Sequence, residues 1–165
     1  MINLTCFDQD ELMALTEQDL RRENYAEALE KLKVIGGRNG VPVAYHAVLG
    51  RVYASLGLLQ RARHAFATYV ENTPDSIHEH FQLGMVERDM GNLPEAQQIW
   101  DQVLEKEQDY PPALYFKAAS LVDLNEYREA MPLLQRLKDT AHQTRVLIGN
   151  RPVYQKTLLR VYTRH

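Results

Sequence analysis

Six histidines, one cysteine and 22 acidic residues are the side chains of this 165-residue sequence with the most obvious capacity for chemistry. Metal binding is the first chemistry they suggest, since imidazole and carboxylate are common zinc ligands. His78 and His80 lie two residues apart, which on a helix places them about 200° round the axis, too far to share an ion. His46 and His80 occupy equivalent places in one packed stripe, where an imidazole is expected as a buried, hydrogen-bonded core group. Cys6 has no neighbouring motif that would activate a thiolate. "VIGGRNG", residues 34–40, has the glycines of a phosphate loop but lacks its Lys-Ser/Thr ending, and reads as a closing loop. The acidic runs "DQDE" and "EKEQD" fall at helix starts and loops, where solvated charge is the default. No catalytic residue, metal site or cofactor is expected, and the sequence is read as that of a non-enzyme.

Composition points the same way. With 45% apolar and 25% charged residues the chain has the make-up of a soluble globular protein, neither disordered nor disulfide-rich. A chain of this length buries roughly 68–70% of its unfolded surface, enough for a proper core. Cys6 alone cannot form an internal disulfide, which fits a reducing compartment. No basic start followed by an apolar run opens the sequence, and no stretch approaches the about 18 apolar residues of a membrane helix. A soluble, cytoplasmic protein without membrane insertion is expected. Charge is uneven: residues 1–140 hold 14 Lys and Arg against 22 Asp and Glu, while residues 141–165 hold five basic residues and no acid. The basic face formed by Arg145, Arg151, Lys156, Arg160 and Arg164 is a solvated tail or a contact for an acidic partner. Without interleaved aromatic residues it is a weak nucleic-acid signal, so nucleic acid is disfavoured.

The elements that would position these side chains emerge when the chain is laid out in rows of 34: residues 9–42, 43–76, 77–110 and 111–144. One column then reads Ala28, Ala62, Ala96, Ala130, and another Thr16, Gly50, Gly84, Ala118, all small. Two more are large: Leu32, Phe66, Trp100, Leu134, and Ile35, Tyr69, Val103, Leu137. Small and large columns at fixed offsets mean that one helix approaches closely where another inserts a side chain. Within rows, apolar residues recur by three and four, as in His46, Leu49, Gly50, Tyr53 and again in Ala62, Ala65, Phe66, Tyr69. Gly57, Gly91 and Asn125 fall where the first helix of a row must stop. Asn24 with Glu27, and Asn92 with Glu95, read as caps that open the second helix, with Pro94 at its first position. Pro74 and Pro111–Pro112 punctuate the rows, and Pro132 is expected to bend the last helix.

On these residues the chain resembles the tetratricopeptide-repeat family. The 34-residue helix-turn-helix period, Leu49–Gly50 and Leu83–Gly84, Tyr53, the alanine column, the aromatic Phe66 and Trp100, and Pro74 follow the repeat's pattern. Rows two and three match best, and the four rows cover residues 9–144. Asp19 and Glu87 stand where the pattern has an aromatic residue, and Lys117 where it has leucine. The resemblance implies an all-α, right-handed superhelical solenoid of antiparallel helix pairs. Residues 1–8 are then a lead-in, and the basic segment 145–165 is a C-terminal capping helix.

The resemblance further implies an inner groove lined by the first helix of each row. Its expected members are Met13, Glu17 and Leu20; Ala47 and Arg51; His78, Phe81, Met85 and Arg88; Tyr115, Ala119 and Val122. Phe81, Met85 and Tyr115 would offer apolar contact and Arg51 or Arg88 a carboxylate contact. A protein-interaction module follows, an adaptor or scaffold that takes a peptide segment or amphipathic helix and needs no small-molecule substrate. The lysine, asparagine and arginine clamp by which some members grip chaperone C-termini is missing, since only Arg51 supplies a cation at those positions. A chaperone holding a hydrophobic secretion or assembly client is the alternative within the family, and an enzyme the alternative outside it. Homo-oligomer formation is open, and Arg151, Lys156, Arg160 and Arg164 would mark a tail contact if the tail cap or fill the groove.

Overall fold

A computed structural model of the chain describes residues 3–143. The expected capping helix and tail contacts at Arg151, Lys156, Arg160 and Arg164 lie outside the described residues. Every regular element described is helical: a short 3₁₀ turn at Leu4–Cys6, then α1 (Gln9–Arg21), α2 (Tyr25–Gly36), α3 (Ala44–Ser55), α4 (Leu59–Asn72), α5 (Ile77–Asp89), α6 (Leu93–Lys106), α7 (Pro111–Asp123) and α8 (Tyr127–Gln143). No described helix is long and apolar enough to cross a membrane. The chain divides between Met90 and Gly91 into two compact units, α1–α5 and α6–α8.

The repeat is written most literally in the turns. Glu23, Gly57, Gly91 and Asn125, each 34 residues from the next, all have positive φ, at 60°, 71°, 87° and 64°. This left-handed residue reverses the chain, and the following N–H closes back on the helix: Asn24 N to Asp19 O at 2.9 Å, Leu58 N to Tyr53 O and Glu126 N to Leu121 O at 2.8 Å. One residue later the second helix begins, at Tyr25, Leu59, Leu93 and Tyr127.

The expected asparagine caps are not used in this way. Neither Asn24 nor Asn92 makes a side-chain cap hydrogen bond, because their ψ values of 64° and 65° depart from the extended conformation that aims a cap side chain at the first turn. Their carbonyls open the helices instead, accepting from Ala28 N and Ala96 N at 3.0 Å. The reciprocal cap occurs at α1. There Asp8 Oδ1 accepts from Glu11 N at 2.8 Å, and Glu11 Oε2 accepts from Asp8 N at 3.0 Å. Pro94 is the second residue of α6 rather than the first, still in the turn where no N–H is needed. Helix α8 continues through Pro132.

The columns become the cores. Ala28, Ala62, Ala96 and Ala130 are all fully buried. In the α1–α5 unit Leu12, Ala28, Leu32, Ile35, Val48 and Val52 form one cluster, and Ala62, Phe66 and Val86 a second. In the α6–α8 unit Trp100, Val103, Leu114, Ala118, Leu134 and Leu137 are buried. Gly50 shows why its column is small: a Cβ there would lie 2.9 Å from three ring carbons of Phe66. Thr16, fully buried in the same column, satisfies its hydroxyl by donating to Leu12 O at 2.7 Å.

The three charged departures from the repeat pattern acquire partners on adjacent helices. Asp19 receives Lys31 at 2.5 Å, Glu87 lies 3.8 Å from Arg63, and Lys117 pairs with Asp101. Each replaces an apolar contact between helices by an ionic one. The lead-in is fastened too, since Arg38 donates to Phe7 O at 2.6 Å.

Candidate functional site

Glu17 and Arg51 occupy the same repeat position on α1 and α3, 34 residues apart, and face one another. Arg51 Nη2 donates to Glu17 Oε1 at 2.5 Å. The repeat explains the meeting, because equivalent residues of successive first helices are brought side by side. Next to the pair lies a cavity of about 340 Å³ lined by Glu17, Leu20, Arg21, Tyr25, Arg51, Ala54, Ser55, Phe66 and Gln82. Its walls are therefore mixed: two guanidinium groups, one carboxylate and one amide stand beside leucine, alanine and two aromatic rings. Arg51 Nε is buried without a hydrogen-bond acceptor. A buried N–H with no acceptor is a cost that a ligand's oxygen would remove.

Of the expected groove residues in this unit, the structure gathers Glu17, Leu20 and Arg51 around the cavity. Met13 and Leu20 are half-buried and pack on the core cluster of α1, α2 and α3. His78 is exposed, with Nε2 3.4 Å from the Gln82 amide nitrogen, and Met85 is half-buried. Three expectations of exposed contact surface need correction. Ala47, Phe81 and Val122 are 8%, 5% and 5% exposed, so the stripe opposite the packed one is itself partly absorbed into the core. Arg88 turns to its neighbour, donating from Nε and Nη2 to Asp89 Oδ1 at 3.0 and 2.6 Å.

In the α6–α8 unit, Tyr115 and Ala119 are half-buried, and Tyr115 packs edge-on to Phe116 with ring centroids 5.1 Å apart. Arg21, Tyr25 and Ser55 were not among the expected site residues. Arg21 and Ser55 share one repeat position, four residues beyond Glu17 and Arg51 on the same helical face, so spacing by four could have included them; Tyr25 opens a second helix, outside a stripe drawn along first helices.

The histidine stripe behaves in two ways. His80 is buried, with Nδ1 3.0 Å from Ser76 O, as a core imidazole should be. His46 is only half-buried and packs edge-on against Tyr45 at 5.2 Å, which corrects its reading as a buried core group. Burial, and then nearby His64, hold the His46 imidazole below the usual histidine range. Burial, and then Tyr53, push the Tyr45 phenol up. Among the described residues, no group of three or more His, Cys, Asp or Glu side chains could hold a metal ion.

Helix pairs repeating every 34 residues, with a mixed polar and apolar cavity against their first helices, define a helical-repeat protein. Tetratricopeptide-repeat patterns match residues 19–77 and 87–147, and the chain belongs to that family. No curated protein sequence matches it. Among solved structures it is similar to MamA, at 15% identity and a TM-score of 0.77 over 82% of this chain and 80% of that one. It is also similar to YrrB, described as a TPR protein with an unusual peptide-binding site, at 21% identity and a TM-score of 0.67 over 78% and 66% of the two chains. A third is the TPR2B domain of yeast Sti1 in complex with pHsp70, at 14% identity and a TM-score of 0.66 over 74% and 98%.

Proposed function

We propose that this chain is a non-enzymatic protein-interaction module that binds an extended peptide segment or an amphipathic helix of a partner along α1, α3 and α5. The observation that carries the reading is the cavity beside Glu17 and Arg51, which offers hydrogen-bonding charge and apolar wall within one recess. That mixture suits a peptide, whose backbone and side chains need both. Two similar structures support the same role here: YrrB is a TPR protein with an unusual peptide-binding site, and the Sti1 domain is in complex with pHsp70. An adaptor or scaffold inside the cell is the setting in which such a module works.

Selection of short random peptides displayed on phage tests the proposal. Selected peptides are expected to lose about tenfold or more in affinity on Arg51→Ala or Met85→Lys, with circular dichroism confirming that both variants are folded. Peptides that bind the variants as well as the wild type, or a selection that yields no binder, would overturn it.

A further inference from the structure

The Glu17–Arg51 pair leaves part of the guanidinium unused. One edge of a guanidinium presents two N–H groups, Nε and an Nη, which a carboxylate takes together. Glu17 uses one nitrogen of Arg51, Nη2, while Nε stays buried without an acceptor. The pair is not sealed in: the two side chains are 37% and 40% exposed, and an ion pair so exposed to water is weakly held.

We propose that the cavity binds an acidic side chain within an extended segment of a partner protein, and that this carboxylate displaces Glu17 from Arg51. The inference rests on the peptide-binding reading and names the ligand group of that same site. Arg21 brings a second cation to the wall and Gln82 an amide, while Leu20, Tyr25, Ala54 and Phe66 supply the apolar surface for a flanking residue. A volume of about 340 Å³ sits at the lower end of ligand cavities, which run from about 300 to 1,000 Å³, so it admits side chains and not a folded element.

Charge selects the register. Residues 3–90 carry 13 Asp and Glu against 9 Lys and Arg, so an acidic segment is repelled by most of this unit and attracted where Arg21 and Arg51 stand together. Arg88, the other cation expected on this face, is already engaged by Asp89. Glu17 therefore acts as a resident competitor. Released from Arg51, it has water to solvate it, so the exchange trades one carboxylate for another.

The test compares two labelled, acetylated and amidated decapeptides, one of Glu-Leu repeats and one of Gln-Leu repeats, by fluorescence anisotropy. Glu17→Gln, which keeps the side-chain volume, should bind the Glu-Leu peptide about fivefold more tightly than wild type, and Arg51→Gln about tenfold more weakly. The Gln-Leu peptide should bind weakly and respond to neither change. Unchanged or weaker Glu-Leu binding by a folded Glu17→Gln variant would overturn the proposal, as would no Glu-Leu binding to any variant. Equal binding of both peptides, lost on Met85→Lys, would overturn the acidic ligand while leaving the peptide-binding reading standing. A free C-terminal carboxylate that restores binding to the Gln-Leu peptide would also overturn it, by moving the ligand from a side chain to a chain end.

Discussion

Single residues set the turns, and the turns carry the period. Gly57, Gly91 and Asn125 are legible in sequence because glycine and asparagine are the residues that enter left-handed backbone cheaply. Glu23 holds the same place with φ 60° and gives no such sign, since its side chain has no preference for that conformation. The period alone could have found it. Glu23 thus stores strain that a glycine would release, less the extra freedom that glycine has when unfolded. Glu23→Gly is expected to raise stability by about 0.5–1 kcal/mol in urea denaturation, the left-handed penalty being about 1–2 kcal/mol. No gain, or a loss, would show that this turn tolerates its glutamate without strain. Chemistry-bearing side chains were legible by type alone. His46 and His80 share a column, yet the stripe does not tell how deep each imidazole sits.

At the scale of helices, the small and large columns were readable because close packing leaves no latitude: where Phe66 fills the space, position 50 can hold nothing beyond a hydrogen. Gly50→Ala gains about 1 kcal/mol of helix propensity but drives a methyl into a ring that is 1% exposed. Overpacking of about 1–3 kcal/mol should win, giving a lower urea midpoint and a net loss of stability. A more stable Gly50→Ala protein would mean that α3 and α4 can separate freely. The asparagine caps misled for a backbone reason: the residue pattern of a cap was present, but each asparagine, directly after the left-handed residue, has its own ψ near 65° rather than extended. Asp19, Glu87 and Lys117 looked like blemishes in the repeat. Their partners Lys31, Arg63 and Asp101 lie 12, 24 and 16 residues away on other helices, and only the folded helices bring them together.

For the molecule as a whole, the all-helical repeat was legible almost completely, since the same 34-residue instruction is issued four times. The site was legible only in part. The family resemblance assigned Glu17, Leu20 and Arg51 to a common groove, and the fold gathers them at one cavity. Periodicity could not reveal that Phe81, Ala47 and Val122 are buried, because spacing fixes direction round a helix and not the height of neighbouring side chains. Spacing by four from Glu17 and Arg51 could have supplied Arg21 and Ser55, but not Tyr25, which reaches the cavity from the start of a second helix. The central claim is that the α1, α3 and α5 side of the first unit is where a partner peptide binds. Amide chemical-shift mapping during titration with a phage-selected peptide tests it most directly. The account predicts that the largest shifts fall at Glu17, Leu20, Arg51 and Gln82, with the outward faces of α2 and α4 unmoved. Shifts concentrated on those outward faces, with Arg51 silent, would contradict it.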